Sequence, residues 1–171
     1  MQRLHLILYA TPTGALAQQI EAFFAQVTTE LGPTTAQSYP PHLTLTGFFH
    51  RRPADLGRVI DEATTVIERH RPVPTEAVRV TGLVSRDDWV GLTVESALLE
   101  QATAEFVAEH ALVDGDDALR PKDWLHLSLA YGVDALDPYG ERAQELIDPA
   151  TDTGWELGLW ERADGGWRRH V

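Results

Sequence analysis

Cysteine is absent from this chain of 171 residues. Disulfide bonds, thiolate metal ligands and a cysteine nucleophile are therefore excluded. Disulfides rarely form in reducing compartments, so the absence of cysteine agrees with an intracellular protein. We expect a cytoplasmic location. A chain of this length can bury a sizeable apolar core without a covalent staple, so we expect one folded domain over residues 1–171.

Long hydrophobic runs are also missing. The apolar stretch nearest the start covers only residues 4–10, within MQRLHLILYATPTG, whereas a membrane-spanning helix needs about 20 apolar residues. The stretch has neither the basic lead nor the long core of a signal peptide. We interpret it as a first β-strand and expect no membrane partner.

Basic residues are scarce. The chain has 14 Lys and Arg against 26 Asp and Glu, which gives a formal net charge of −12 at pH 7. A strongly acidic surface repels a phosphate backbone, so a broad nucleic-acid footprint is disfavoured. A few local hydrogen-bond donors can still hold a small phosphate ligand in a pocket. The charge therefore favours small substrates. We also expect a monomer.

The periodicity of apolar residues predicts the order β-α-β-α-β-β-α-β-α-β-β. Helical spacing is found in residues 11–32, 53–70, 96–112 and 137–148, and Ser96 is a suitable N-cap for the third helix. Strand patterns fill residues 4–10, 42–49, 76–85, 89–95, 124–132 and the terminal hairpin 154–171. Because hairpins interrupt the alternation, we predict an α+β fold rather than an all-parallel sheet.

One short pattern occurs twice. HLTLT begins at His42 and HLSLA begins at His126, 84 residues later. Residues i and i+2 of a strand share a face, so His42 lies beside Thr44 and His126 beside Ser128, while the leucines between them face the other way. The repetition predicts two related lobes, each of which contributes one histidine and one hydroxyl to a cleft.

This set of side chains suits the hydrolysis of a phosphodiester. In-line attack at phosphorus needs a base beside the incoming water and an acid beside the departing oxygen. Histidine can serve as either near neutral pH. The hydroxyls of Thr44 and Ser128 can donate hydrogen bonds to the non-bridging oxygens. Neither motif has a carboxylate or second histidine on its polar face, so we expect no metal and no cofactor.

The two motifs resemble the twin signatures of the 2H phosphoesterase superfamily, the LigT-like proteins. The layout, including YPPHLTLTG after one strand and one helix, is most similar to the 2′,3′-cyclic nucleotide phosphodiesterases of the plant and yeast type. The resemblance implies a bilobal fold with two antiparallel β-sheets around a central cleft and helices outside. It also implies metal-independent hydrolysis of a 2′,3′-cyclic phosphate to a 2′-phosphate.

The resemblance further implies roles for the motif residues. His42 and His126 would be the general acid and base, with the polarity of that family making His126 the base. Thr44 and Ser128 would bind phosphate. Ala130 stands where the first motif has Thr46, so the two motifs match only at their first two polar positions and Thr46 is expected to be dispensable.

Other residues are weaker candidates for the site. Trp124, Tyr9 and Tyr131 could line the substrate. Lys122 and Arg120, in the loop before the second motif, could attract phosphate. Four further histidines lie at the ends of predicted elements and are expected at the surface: His50, His70, His110 and His170.

Three functions remain open from the sequence. The first is hydrolysis of a cyclic phosphate carried by a small nucleotide, a related ribose or an RNA 3′ end. The second is cleavage or joining of 2′-5′ RNA linkages, for which a larger basic groove is expected. The third is a non-catalytic module that binds nucleotides or RNA ends, although arginine would serve pure binding as well as histidine.

Overall fold

The computed structural model describes residues 3–113 and 115–171, and this part of the chain forms eight β-strands and four α-helices. The strands are β1 (Leu4–Gly14), β2 (Leu43–Thr44), β3 (Phe49–Arg51), β4 (Arg79–Ser85), β5 (Val90–Glu95), β6 (Leu125–Ala130), β7 (Thr153–Ala163) and β8 (Gly166–Arg169). The helices are α1 (Ala15–Glu30), α2 (Leu56–Arg69), α3 (Ala97–Glu109) and α4 (Asp137–Leu146). The predicted α+β class is confirmed. None of the helices in the described residues is long and apolar enough to cross a membrane.

All eight strands belong to one antiparallel sheet. Seven of them follow the order β4-β5-β6-β2-β1-β7-β8, and β3 pairs with β1 beyond β2. The two sheets expected around the cleft are therefore continuous with each other. The reason is β2, which pairs with β1 on one edge and with β6 on the other, through Leu43 and Leu127. The strands that carry the two motifs are neighbours in the sheet.

The two faces of the sheet have different chemistry. On one face, leucines of β1, β2 and β6 form a contiguous core with the apolar residues of all four helices. Ile7 and Tyr9 alternate with the core residues of β1 and line an open cleft on the opposite face. Period-2 alternation along the strands thus puts the helices on one side and the polar motif residues on the other.

The first strand is longer than its sequence pattern indicates. The helical spacing predicts that residues 11–14 belong to the first helix, but they continue β1, which pairs with β7 as far as Gly14 and Thr153. Gly14 then has a φ of 73°, a left-handed conformation that favours glycine, and α1 begins at the next residue. The cross-strand partners in β7, about 140 residues later, are what keep this segment extended.

The predicted strand 42–49 is interrupted. It forms β2 and β3, and the backbone between these two strands forms hydrogen bonds with the segment that precedes β6. The Leu45 carbonyl accepts a hydrogen bond from the Lys122 amide at 2.9 Å, and the Gly47 amide donates to the Arg120 carbonyl at 2.8 Å. The hydroxyl of Thr46 accepts the amide N–H of Leu8 at 3.1 Å and is fully buried. The Thr46 hydroxyl therefore accepts the Leu8 N–H at a place in the sheet where a backbone carbonyl would normally be the acceptor.

The expectation of four surface histidines is wrong for His110, which is 5 % exposed. The side chains of His70 and His170 are also mostly buried, with exposures of 10 % and 9 %. His110 accepts a hydrogen bond from Nε of the fully buried Arg51 at 2.9 Å. The same guanidinium donates to the carboxylate of Asp117 at 2.9 Å. A buried arginine must be paired in this way because an isolated buried charge is costly. The cluster anchors the segment that leads to Lys122 and β6.

We predict that Thr46→Val destabilises the protein, because the Leu8 amide is left buried without an acceptor. An unsatisfied buried donor costs about 1–3 kcal/mol. The free energy of unfolding from urea denaturation measures the loss. Thr46→Ser is the matched control, since it keeps the hydroxyl and should retain most of the stability. Equal losses in the two variants would contradict this account of Thr46.

Candidate active site

The register of β2 and β6 brings the two motifs together. Leu43 is paired with Leu127 in an antiparallel arrangement. Continued by one residue in each direction, this register sets His42 across from Ser128 and Thr44 across from His126. The two histidines are then diagonal neighbours on the same face, and such neighbours are separated by roughly 7–8 Å. All four side chains line one cleft of about 500 Å³.

Both imidazoles are held in the same way by the backbone. His42 Nδ1 is 2.6 Å from the carbonyl oxygen of Pro40, and His126 Nδ1 is 3.3 Å from that of Trp124. In each motif the carbonyl belongs to the residue two positions earlier. Since a carbonyl oxygen can only accept, Nδ1 carries the proton in the neutral ring and Nε2 keeps its lone pair. The two histidines thus present the same nitrogen for proton transfer.

The two hydroxyls have different partners. His42 Nε2 is 3.1 Å from Thr44 Oγ1, so in the neutral ring the threonine hydroxyl donates to the imidazole. In the second motif, Ser128 Oγ accepts a hydrogen bond from the indole N–H of Trp89 at 2.9 Å. The motifs are therefore equivalent in their histidines but not in their hydroxyls.

Aromatic rings fix the planes of both histidines. Tyr9 is stacked on His42 with ring centroids 3.8 Å apart, and Trp124 is stacked on His126 at 4.0 Å. Trp89 meets His126 edge-on at 5.3 Å. Stacked and edge-to-face contacts of this kind restrict ring rotation and add stabilisation beyond buried area.

The surroundings favour neutral histidines. Burial lowers the pKa of His42 to about 4, and the proximity of His126 acts in the same direction. Burial also lowers the pKa of His126, with further lowering from the positive charges of Lys122 and Arg86. At neutral pH both imidazoles are therefore uncharged in the unliganded protein. An anion placed between them would favour the protonated form and raise the pKa of either ring.

The cleft differs in charge from the rest of the protein. Three charged residues line it: Arg86, Asp88 and Lys122. Two cations and one anion leave an excess of positive charge in a chain whose net charge is −12. Both cations lie close enough to His126 to influence its pKa. The local field favours an anion in the half of the cleft that β6 provides.

Eight of the nine residues singled out from the sequence line the cleft, namely His42, Thr44, His126, Ser128, Trp124, Tyr9, Tyr131 and Lys122. Tyr9 lies beneath the His42 ring and is 1 % exposed, so it supports the histidine more than it borders a ligand. Burial raises the pKa of Tyr131 to about 12, which keeps its phenol neutral. Lys122 lines the cleft, whereas Arg120 packs beside Gly47.

Sequence reasoning missed Trp89, Arg86 and Tyr39, which also line the cleft. Trp89 comes from the turn between β4 and β5. The signal that could have found it is parity: Gly91 is paired with Ser128 and Thr93 with His126, so Trp89 continues the same alternating row. That parity becomes informative only once β5 is known to neighbour β6.

Among the described residues, no group of three or more His, Cys, Asp or Glu side chains is arranged to hold a metal ion. The donors that converge on the cleft are imidazoles, hydroxyls, an indole and two cations. Such a set can bind an oxyanion and move protons to and from it.

Comparison with known proteins gives distant relatives. No protein-family model matches the chain. The chain is 28% identical over 165 residues to ubiquitin-associated and SH3 domain-containing protein B of Mus musculus, a match that covers 91% of this chain and 25% of that protein. The Homo sapiens protein of the same name is also 28% identical over 165 residues, which is 24% of its length. Ecdysteroid-phosphate phosphatase of Bombyx mori is 26% identical over 163 residues, covering 91% of this chain and 24% of that protein. The chain thus spans about a quarter of the length of the curated relatives it matches.

We predict that His42 and His126 both exist as the neutral Nδ1–H tautomer at pH 7. Long-range ¹⁵N–¹H correlation spectra distinguish the two tautomers, and His42→Ala and His126→Ala variants assign the signals. In an acid titration His42 should protonate near pH 4, and His126 below its ordinary value of 6.5. Addition of inorganic phosphate should raise both midpoints. An Nε2–H tautomer at either ring would contradict the hydrogen bonds from Nδ1 to the backbone carbonyls. A titration midpoint above pH 6.5 without phosphate would contradict the lowered pKa values.

Proposed function

We propose that this protein hydrolyses 2′,3′-cyclic phosphates of nucleotides or RNA ends, with two histidines as acid and base, as a 2H phosphoesterase of the LigT-like kind. The observation that carries the proposal is the matched pair of histidines on adjacent strands. Each is fixed through Nδ1 by a backbone carbonyl, and both line one cleft. A site for binding alone would not need two imidazoles held in the same tautomer.

The proposed reaction is an in-line displacement at phosphorus. One imidazole takes a proton from water through Nε2 as the water oxygen bonds to phosphorus. The bond from phosphorus to O3′ breaks, its electron pair stays on O3′, and Nε2–H of the other imidazole donates a proton there. The products are a 2′-phosphate and a free 3′ hydroxyl. The two imidazoles have exchanged protonation states, which solvent then restores.

The assignment of acid and base has two competing arguments. Family resemblance makes His126 the base. The pKa order favours the opposite polarity, since His42 is the ring more firmly held in its neutral, proton-accepting form. Activity on a p-nitrophenyl phosphodiester separates them, because its leaving oxygen needs no proton. The alanine variant of the acid should lose far less activity on this substrate than the variant of the base.

The relatives support phosphoester chemistry in general. One of them is named ecdysteroid-phosphate phosphatase, and a phosphatase acts on the same kind of phosphorus centre. That name does not point to a cyclic phosphate, so a steroid phosphate monoester belongs in the substrate panel. The excess of positive charge in the cleft, within an acidic chain, supports a small anionic substrate over a long nucleic acid. We further propose that the protein acts on it as a monomer.

We predict turnover of at least one of the four nucleoside 2′,3′-cyclic phosphates in the presence of EDTA. His42→Ala and His126→Ala should each lower kcat/KM by about 10²–10⁴-fold, the usual contribution of an acid or base. His70→Ala is the control, since His70 pairs with Glu105 away from the cleft and should leave turnover unchanged. Product is measured by chromatography against 2′- and 3′-phosphate standards.

The proposal fails if a folded protein turns over none of the cyclic phosphates, or if the two histidine variants retain full activity. Tight binding without product would favour a nucleotide-binding module. Cleavage of 2′-5′-linked dinucleotides, with the cyclic phosphates untouched, would favour the RNA phosphodiesterase alternative.

The pH dependence gives a separate prediction. The profile of kcat/KM is a bell between the pKa values of the free enzyme. Because both histidines have pKa values below 6.5, the optimum should lie below pH 6.5 and the rate should fall as pH rises, when the acid loses its proton. The optimum of kcat should lie higher, because the bound anion raises the pKa of the acid. A kcat/KM optimum at or above pH 7 would contradict it.

A further inference from the structure

The hydrogen bond between Trp89 and Ser128 determines how the serine can act. The indole N–H lies 2.9 Å from Ser128 Oγ. An indole nitrogen only donates, so Ser128 is the acceptor and its own hydroxyl proton must point elsewhere. Within residues 3–113 and 115–171, no protein group accepts that proton. Since Ser128 lines the cleft, the free proton is available to a ligand there.

The position of Trp89 depends on Gly91. Gly91 is paired with Ser128 in the ladder between β5 and β6, and the register shifts by one residue between Val90 and Gly91. A Cβ at Gly91 would lie 2.3 Å from the Leu127 carbonyl oxygen and 2.3 Å from Cζ2 of the Trp89 ring. These distances are too short for any side chain. The absence of one at position 91 lets the indole lie against the strand and reach Ser128.

The first motif has no equivalent arrangement. Thr44 donates its hydroxyl proton to Nε2 of neutral His42. While His42 is neutral, the Thr44 hydroxyl proton is engaged in this hydrogen bond. It becomes available to a ligand only when His42 Nε2 is protonated or accepts a hydrogen bond from another donor. Ser128 is therefore the hydroxyl that is oriented as a donor before a ligand arrives.

We propose that Trp89 is a positioning residue that holds Ser128 as a hydrogen-bond donor to a non-bridging phosphate oxygen. The inference rests on the proposed function for its catalytic consequence, but its effect on phosphate binding is independent of turnover. A donor oriented in advance needs no reorganisation when charge develops on the phosphate, which is the origin of its catalytic value. Trp89 acts through Ser128 and does not touch the reacting atoms.

A double-mutant cycle tests this role. Ser128→Ala should lower kcat/KM by about 10²-fold, the loss typical of one oxyanion donor. Trp89→Phe keeps an aromatic ring against His126 but removes the N–H together with part of the indole, a loss of volume that the Trp155→Phe control shares. It should lower kcat/KM by roughly 10-fold, since the serine remains but is no longer oriented. In the Ser128→Ala background, Trp89→Phe should change kcat/KM by less than about 2-fold, because residues that act as a unit are not additive.

Trp155→Phe is the matched control. Trp155 is also buried, but its indole N–H has no hydrogen-bond partner among the described residues and lies outside the cleft. Its substitution should leave kcat/KM unchanged. The pH profile of Trp89→Phe should also match that of the wild type, because the histidines keep their backbone carbonyls.

Two kinetic results and one binding result would overturn the inference. If the effects of Trp89→Phe and Ser128→Ala are additive, Trp89 contributes by packing and not through Ser128. If Trp89→Phe shifts the pH profile, it acts on His126. Calorimetric titration with inorganic phosphate repeats the cycle without turnover. Weaker binding that follows the same non-additive pattern supports the positioning role even in a protein that hydrolyses no cyclic phosphate, whereas additive binding losses reject it.

Discussion

The pairing of Leu43 with Leu127 is the contact on which the site depends. It joins the halves of the sheet through β2, a strand of only two residues that pairs on both edges. Each leucine is fully buried and has a polar motif residue on either side in sequence. Burial on the helix face therefore fixes the register on the cleft face, because a slip of one residue would exchange the two faces of the strand. Core packing and site geometry are consequences of the same constraint.

The short pairing of Leu43 with Leu127 is stabilised by hydrogen bonds of the neighbouring segments. The Thr46 hydroxyl accepts the Leu8 amide of β1. The backbone groups of Lys122 and Arg120 form hydrogen bonds with those of Leu45 and Gly47, which follow β2. The buried guanidinium of Arg51 holds the segment before Lys122 through Asp117. A two-residue strand would be marginal alone. Backbone hydrogen bonds on both sides and a buried, paired charge nearby make it a defined element.

The sequence was sufficient to identify the four motif residues that meet in the cleft but not the way they meet. Alternation in HLTLT and HLSLA placed two histidines and two hydroxyls on one face, and the structure brings these four together. Strand order depends on long-range pairing, so one continuous sheet was not predictable from local pattern. The extension of β1 into residues 11–14 and the burial of His110 have the same origin, since their partners are remote in sequence. Trp89 was overlooked because its neighbour β6 lies more than thirty residues further along the chain.

The electrostatics of the cleft connect ligand binding to proton transfer. In the unliganded protein both imidazoles are neutral, because burial and neighbouring cations disfavour their charged forms. A neutral pair contains a base but no acid. A phosphate anion between the rings supplies the opposite charge that favours protonation, and it would do so more strongly in a partly buried cleft than in water. In the proposed reaction, the substrate that needs the acid would therefore also favour its formation. In the polarity that makes His42 the acid, its protonation would in turn release the Thr44 hydroxyl from Nε2 and make it a second donor to the same anion. In the proposed mechanism the asymmetry of the two motifs would have a physical role, with Ser128 oriented as a donor before the phosphate binds and Thr44 becoming a donor after His42 is protonated.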